Sequence, residues 1–217
     1  MNYRRIDLAT YPRKEHFQYF RSLAYPYMGV TVNVDVTEFA AWCKREKRSF
    51  YLAFMHLAAL AADSVPQLRH RIYQDGIIEI ESSTTSHVEL LESGVYCYCE
   101  LQHAEYAEWE RYFPYAEAQQ AACHGAAAET SLEADGTESL RSIFISCLPW
   151  LNYTALIQPV ACGDESNPRI TWGRFEKNSE GRLMMPLTVL LHHGLADGMH
   201  MAQFYAEVER RLEEFRV

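Results

Sequence analysis

The chain lacks a surplus of positive charge, a closely spaced cysteine pair and a long apolar run, and each absence removes a class of function. Lysine and arginine number 20 against 29 aspartates and glutamates, a formal charge of −9. Proteins that work on a phosphate backbone displace counterions with a basic surplus, so no nucleic-acid partner is expected, although a local basic pocket stays open. The six cysteines (Cys43, Cys97, Cys99, Cys123, Cys147 and Cys162) contain no CxxC pair. That suggests neither a disulfide framework nor a zinc ribbon, and predicts thiols that are reduced and mostly buried. The longest apolar segment, FYLAFMHLAALAA at 50–62, contains His56 and falls short of the ~20 residues a membrane helix needs. No membrane anchor is expected. The amino terminus, MNYRRIDLATYPRKEHF, is charged throughout and has no apolar stretch of signal-peptide length, which predicts a cytoplasmic protein.

What is present suffices for a core: 217 residues, 48% of them hydrophobic, with 10 glycines and 8 prolines. That length predicts one unit spanning 1–217. Phe17 and Phe20 at helical spacing predict a helix beginning near Pro12, and the period-two alternation of MGVTVNVDV at 28–36 predicts a strand. Thr37 reads as a helix cap for TEFAAWCKREKR, and a second apolar helix follows from about Phe50 to Ser64, ended by Pro66. After the QDG turn, the runs IIEIE, HVELL and VYCYCE read as short strands. Cys97 and Cys99 alternate on the last of these and point to one face. Residues 104–126 read as helix, their tyrosines at core-packing spacing, and 126–137 as a small, polar, acidic loop. Strands are then expected at 142–147, 152–160, 169–176 and 182–191, the last nearly continuous in apolar residues and therefore central. A closing helix runs from Gly198 to Phe215. The expected fold is α/β, a mixed β-sheet flanked by helices.

Chemistry concentrates in LLHHGLADGMH, where His192, His193, Asp197 and His200 follow the central strand through a glycine turn into a helix. A neutral imidazole at the mouth of a sheet can take a proton, since its unperturbed pKa of ~6.5 lies close to working pH. His193, Asp197 and His200 are also residue types that zinc accepts. However, the Asp-Gly turn breaks helical alignment and no matching cysteine or glutamate motif is near, so no metal is expected. Paired histidines can also simply satisfy backbone groups.

HHGLADG fits HHxxxDG, and so resembles the active-site signature of the chloramphenicol acetyltransferases and of the acyltransferase domains of 2-oxo acid dehydrogenase complexes. The likeness to the first family extends to YPRKEHFQYF, TVNVDVT, FYLAFMHLAALAA, PQLRHRIYQDG, the Ser-x-x-Pro-Trp of ISCLPWLNY, the Pro168 to Thr171 region and MPLTVLLHH. These segments occur in the same order over nearly the whole chain.

The resemblance implies a CoA-dependent acyltransferase fold and a homotrimer with active sites between subunits, acting in antibiotic resistance. His193 would be the general base that takes the proton of a small-molecule hydroxyl as it attacks acetyl-CoA, without an acyl-enzyme. Ser146 would donate a hydrogen bond to the tetrahedral oxyanion, a contact often worth ~3–4 kcal/mol. Asp197 would pair with Arg13 to hold the histidine loop; stranding a buried charge there commonly costs ~3–5 kcal/mol. His192 is read as support, Thr171 as a contact to the acceptor through water, and Phe20 and Ala24 as acceptor-pocket residues. Arg174 and Arg48 would face the phosphates of CoA, the latter standing beside Ser49, which occupies the aligned position.

The pocket wall departs from the family more than the catalytic frame does. HVELLESGVYCYCEL lacks the family's Thr-Phe-Ser run, with Tyr96 and Tyr98 able to supply aromatic surface. Pro26 replaces a small residue, and Leu156 and Gln158 stand where apolar pocket residues would align. The resemblance implies chloramphenicol or a similar small molecule as the acceptor. A trimeric binding protein without this activity, or an acyltransferase with another acceptor, remain the alternatives.

Overall fold

The helix at Phe50–Asp63 is apolar nearly all round, and the fold is built to surround it. In the computed structural model, which describes residues 2–125 and 138–216, ten of its side chains are buried. Ser49 caps it, its Oγ accepting from Leu52 N at 3.4 Å.

In chain order the elements are β1 (Tyr3–Ile6), α1 (Lys14–Arg21), β2 (Tyr27–Asp35), α2 (Thr37–Arg45), α3 (Phe50–Asp63), β3 (His70–Tyr73), β4 (Gly76–Ile80), β5 (Thr84–Leu90) and β6 (Tyr96–Gln102). They continue with α4 (Trp109–Gly125), β7 (Ser142–Leu148), β8 (Arg169–Gly173), β9 (Glu176–Lys177), β10 (Leu183–His192) and α5 (Gly198–Glu213). The main sheet runs β2-β10-β8-β7-β5-β6, with β9 against β10, and a smaller sheet runs β1-β4-β3. Because β7 pairs in parallel with both β5 and β8 while the remaining pairs are antiparallel, the sheet is mixed. The strand β10, expected to be central, is an interior strand, one in from the edge strand β2, and is buried over its last eight residues.

The two faces of the main sheet differ. Ile143, Ile145, Ile170, Trp172, Leu187 and Val189 point into the core shared with α3 and α5. The alternate positions form the opposite face, where Val88, Leu90, Tyr96 and Tyr98 are 42–50% exposed. Side chains alternate across a strand, so each strand contributes to both faces.

Two expectations, the Thr37 cap and the strand at 152–160, are corrected. Thr37 does not cap α2: the cap position is Val36, and the Asp35 carboxylate takes the Thr37 N–H (3.0 Å) and hydroxyl (2.6 Å). The segment 152–160 is not a strand, because β8 already has β7 and β10 as neighbours and no edge is left for it. It crosses the open face instead, tied by side chains. The strands β1 and β3, too short to show periodicity, form the smaller sheet. The first helix starts at Lys14, two residues beyond Pro12. The acidic stretch at 126–137 lies outside the described residues.

Of the cysteines, Cys43, Cys97 and Cys99 are buried and Cys162 is exposed. Cys97 and Cys99 do share the core face of β6, with Cys123 Sγ 2.7 Å from Cys97 Sγ. In the tyrosine-rich helix α4, Tyr112, Phe113 and Ala116 are buried, and Tyr112 donates to Leu52 O at 3.0 Å.

Candidate active site

The turn after β10 is shaped by its own backbone. His193 N–H donates to Pro26 O at 2.7 Å, and His193 Nδ1 lies 3.0 Å from Ala196 O. A carbonyl only accepts, so Nδ1 carries the proton and Nε2 keeps its lone pair, the form a general base requires. The imidazole stacks on Phe20, centroids 3.9 Å apart, which fixes its plane. Ala24 sits exposed on the bend that leads to Pro26.

Behind the base, Arg13 Nη1 pairs with Asp197 Oδ2, and Arg13 Nη2 reaches His193 O at 3.3 Å. Asp197 caps α5: its Oδ1 accepts from Met199 N at 3.0 Å, while its own N–H donates to His200 Nδ1 at 3.1 Å. Burial pushes the Asp197 pKa up, but the Arg13 guanidinium outweighs it and holds the carboxyl below its ordinary value. Asp197 and His200 are thus bonded to each other rather than presented together with His193 as metal ligands. With side chains 16% and 30% exposed, the Arg13–Asp197 pair is only partly buried. Its loss therefore falls below the range expected of a fully buried pair.

His192 supports the turn from inside. Its Nε2–H donates to Gly163 O (3.1 Å) and its Nδ1 accepts from Gly194 N (3.1 Å). Burial pushes its pKa down to about 4, so the ring stays neutral and does not compete as a base. A Cβ on Gly194 would come within 3.0 Å of this ring and 3.3 Å of Phe17 Cα, which explains the glycine between the histidine pair and the cap.

A second set of residues lies elsewhere on the chain. Ser146 on β7, Thr171 on β8, Thr188 on β10 and Thr31 on β2 are in register and form a row of hydroxyls across the open face. Thr31 and Thr188 are hydrogen-bonded at 2.7 Å, Thr188 donates to Tyr153 OH at 3.2 Å, and Tyr153 donates to Thr171 O at 2.9 Å. Ser146 and Thr171 open into a groove of about 910 Å³, whose wall includes Tyr98, Glu100, Leu156 and Gln158. Gly173 allows the chain after β7 to return over β8, since a Cβ there would stand 2.5 Å from Leu151 O.

Arg174 follows β8 at the end of the sheet far from His193, and Phe50, two residues after Arg48, packs against Phe175 at 5.3 Å. Each already has acidic company: Arg174 pairs with Glu176 at 2.6 Å, and Arg48 lies over Phe113 with Glu117 at 3.8 Å. Binding a phosphate there means exchanging exposed surface pairs that contribute little.

The structure therefore places the sequence-predicted residues in two groups. His193, His192, Asp197, Arg13, Phe20 and Ala24 form one, and Ser146 and Thr171 the other, while Arg174 and Arg48 do not line the groove of the second. His193 lies five residues beyond Thr188 on β10, and Ser146 lies two strands over from Thr188, so the base and the serine are about 16 Å apart along the strands and about 10 Å across them. Sequence reasoning did not find the carbonyls of Pro26 and Ala196, because backbone acceptors leave no side-chain signature. Tyr153 was missed as well, since it lies in a segment read as a strand.

A family model described as chloramphenicol acetyltransferase matches residues 1–209. A chloramphenicol acetyltransferase of a Klebsiella species is 28% identical over 215 residues, covering 99% of this chain and 95% of that protein. One from Streptomyces acrimycini is 29% identical over 215 residues, covering 96% and 94%. A solved structure of a chloramphenicol acetyltransferase superposes with a TM-score of 0.84 at 24% identity, over 97% of this chain and 100% of that one.

Proposed function

Because the chain belongs to the chloramphenicol acetyltransferase family, and is thus an acyltransferase, we propose that it moves the acetyl group of acetyl-CoA directly onto a hydroxyl of chloramphenicol or a similar small molecule. The observation that carries this reading is the His193–Ala196 contact, which puts the ring proton of the neutral imidazole on Nδ1 and so leaves Nε2 as the basic nitrogen.

In the proposed reaction His193 Nε2 takes the hydroxyl proton as the oxygen attacks the thioester carbonyl. Negative charge then gathers on the carbonyl oxygen, and the Ser146 hydroxyl donates to it. Collapse expels CoA as the thiol, with the proton returned from His193. General-base help of this kind contributes typically ~10²–10⁴-fold. Asp197 and Arg13 touch neither reactant; they act by holding the turn. Arg174 and Arg48 would give CoA its phosphate contacts.

Within one chain, strand register holds His193 and Ser146 about 16 Å apart along the strands and about 10 Å across them. The reading therefore includes a second copy, the serine of one subunit facing the base of the next. The apolar, half-exposed open face of the sheet, with Val88, Leu90, Tyr96 and Tyr98, supports such an assembly, because patches of this kind mark contact surfaces. A homotrimer is the closed ring that the family resemblance implies.

The test is thiol release from acetyl-CoA by the purified protein, with and without chloramphenicol, comparing wild type with His193→Ala. Release that needs both the drug and His193 is the expected result. Release without His193 would remove the base, and release only with another hydroxyl compound would change the acceptor.

A further inference from the structure

Thiols gather where α4 packs against the end of the main sheet. The strand β6 closes the order of that sheet, bonded to β5 on one side. Cys97 and Cys99 lie buried on its core face, and Cys123 comes down onto them from the last turn of α4. Cys123 Sγ stands 2.7 Å from Cys97 Sγ and 2.9 Å from Tyr98 O, and all three cysteines are free. A disulfide needs its sulfurs ~2.05 Å apart, so closing this pair takes a movement of less than about 1 Å. Exposure separates the two partners. Cys97 is 6% exposed, whereas Cys123 is only half-buried, so a reagent from solution meets Cys123 first.

We propose that Cys97 and Cys123 are an oxidative modification site, a thiol pair that a low-molecular-weight disulfide converts into a bond stapling α4 to β6. The Cys123 thiolate attacks one sulfur of the small disulfide, whose S–S bond breaks and whose other half leaves as a thiolate. The Cys97 thiolate then attacks the Cys123 sulfur of this mixed disulfide, forming the protein bond and expelling the remaining half. Two protein sulfurs are oxidised, the small disulfide is reduced to two thiols, and the protons of Cys97 and Cys123 end on those thiols. Burial and the neighbouring thiols push the Cys123 thiol up, so the exchange is slow at neutral pH and is best run in mild alkali. The bond joins residues 26 apart in the chain and removes that freedom from the unfolded state. It also ties down the strand whose Tyr98, facing the opposite way, lines the groove beside Ser146. Nothing in it depends on acetyl transfer.

The test incubates the full-length protein with oxidised glutathione or with dithiothreitol, and follows intact mass, thiol titration in urea and non-reducing peptide maps. Wild type is expected to lose two of its six thiols, keep no glutathione, and yield a Cys97–Cys123 linked peptide that dithiothreitol releases. Its thermal midpoint should rise by about 5 °C or more on oxidation. Cys97→Ser should stop at a glutathione adduct on Cys123, Cys123→Ser should form no bond, and Cys99→Ser should form it as wild type does. The wild-type map needs no variant to fold. Six thiols left free, two glutathione adducts without a protein bond, or a bond running through Cys99 or between chains would each overturn the proposal. A Cys97–Cys123 bond with no change in midpoint would overturn the staple.

Discussion

His193 Nδ1 sits 3.0 Å from the carbonyl oxygen of Ala196, three residues further along the same turn. That contact selects the tautomer with Nε2 unprotonated. Replacing His193 with alanine is expected to lower kcat by at least ~10²–10⁴-fold. The buried frame of the turn survives, because His192, Arg13 and Asp197 make the contacts that hold it. CoA release together with far-ultraviolet circular dichroism checks both halves; near-normal turnover would end the assignment.

Ser146→Ala removes one hydroxyl from an exposed position on β7 and creates no cavity. If its hydroxyl meets the oxyanion, kcat falls by about 10²–10³ with KM little changed. A variant whose loss is confined to KM would move Ser146 from the reaction to binding.

Two inactive variants should repair each other. In trimers reassembled from equal amounts of His193→Ala and Ser146→Ala chains, about a quarter of the sites combine an intact histidine with an intact serine from the next subunit. Roughly a quarter of wild-type activity is then regained. A site contained within one chain would regain none.

Arg13→Met leaves Asp197 without its guanidinium. The expected cost is about 1.5–3 kcal/mol in urea unfolding at neutral pH, the scale of a charge-assisted bond. Because the folded pKa of Asp197 lies below the unfolded one, its stabilisation is present above the unfolded value and is lost as pH falls through the folded one. The gap between wild type and variant should therefore narrow in acid. A gap that stays constant with pH would show that the ion pair is not its source.

Burial pushes His56, His70 and His192 down to about 4. The unfolded chain takes up these protons near the ordinary value of 6.5, so it binds more protons than the folded state between the two. Stability is expected to fall as pH drops from about 6.5 to about 4, by up to ~1.4 kcal/mol per pH unit for each histidine. His70→Phe keeps an aromatic ring against Tyr11 and should reduce that slope by up to ~1.4 kcal/mol per pH unit. Urea midpoints across the range measure it, and a flat profile would contradict the assignment.

Much of this was legible in the sequence for local reasons. A fully apolar run must be buried, which made α3 the centre, and period-two alternation gave β2 its buried face. HHGLADG gave His193, the glycine and the cap in one segment, because a turn and a helix cap are made by neighbours in the chain. The resemblance added Ser146 and Arg13, which lie far from that segment.

Tertiary structure decided what depends on partners far apart in the chain. Whether 152–160 could be a strand depended on a free edge at β8, and β7 and β10 had taken both sides. Which atom of Asp35 or Thr37 met the start of α2 depended on Arg182 and Leu183, brought beside them at the start of the adjacent strand β10. The link between Gln158 and Thr171 exists only because a loop crosses the open face. The separation of His193 from Ser146 is likewise set by strand order and register, which no single segment encodes. The sequence by itself determined the chemical groups and the turn that presents the base. Strand order and register determined how far His193 lies from Ser146 within one chain.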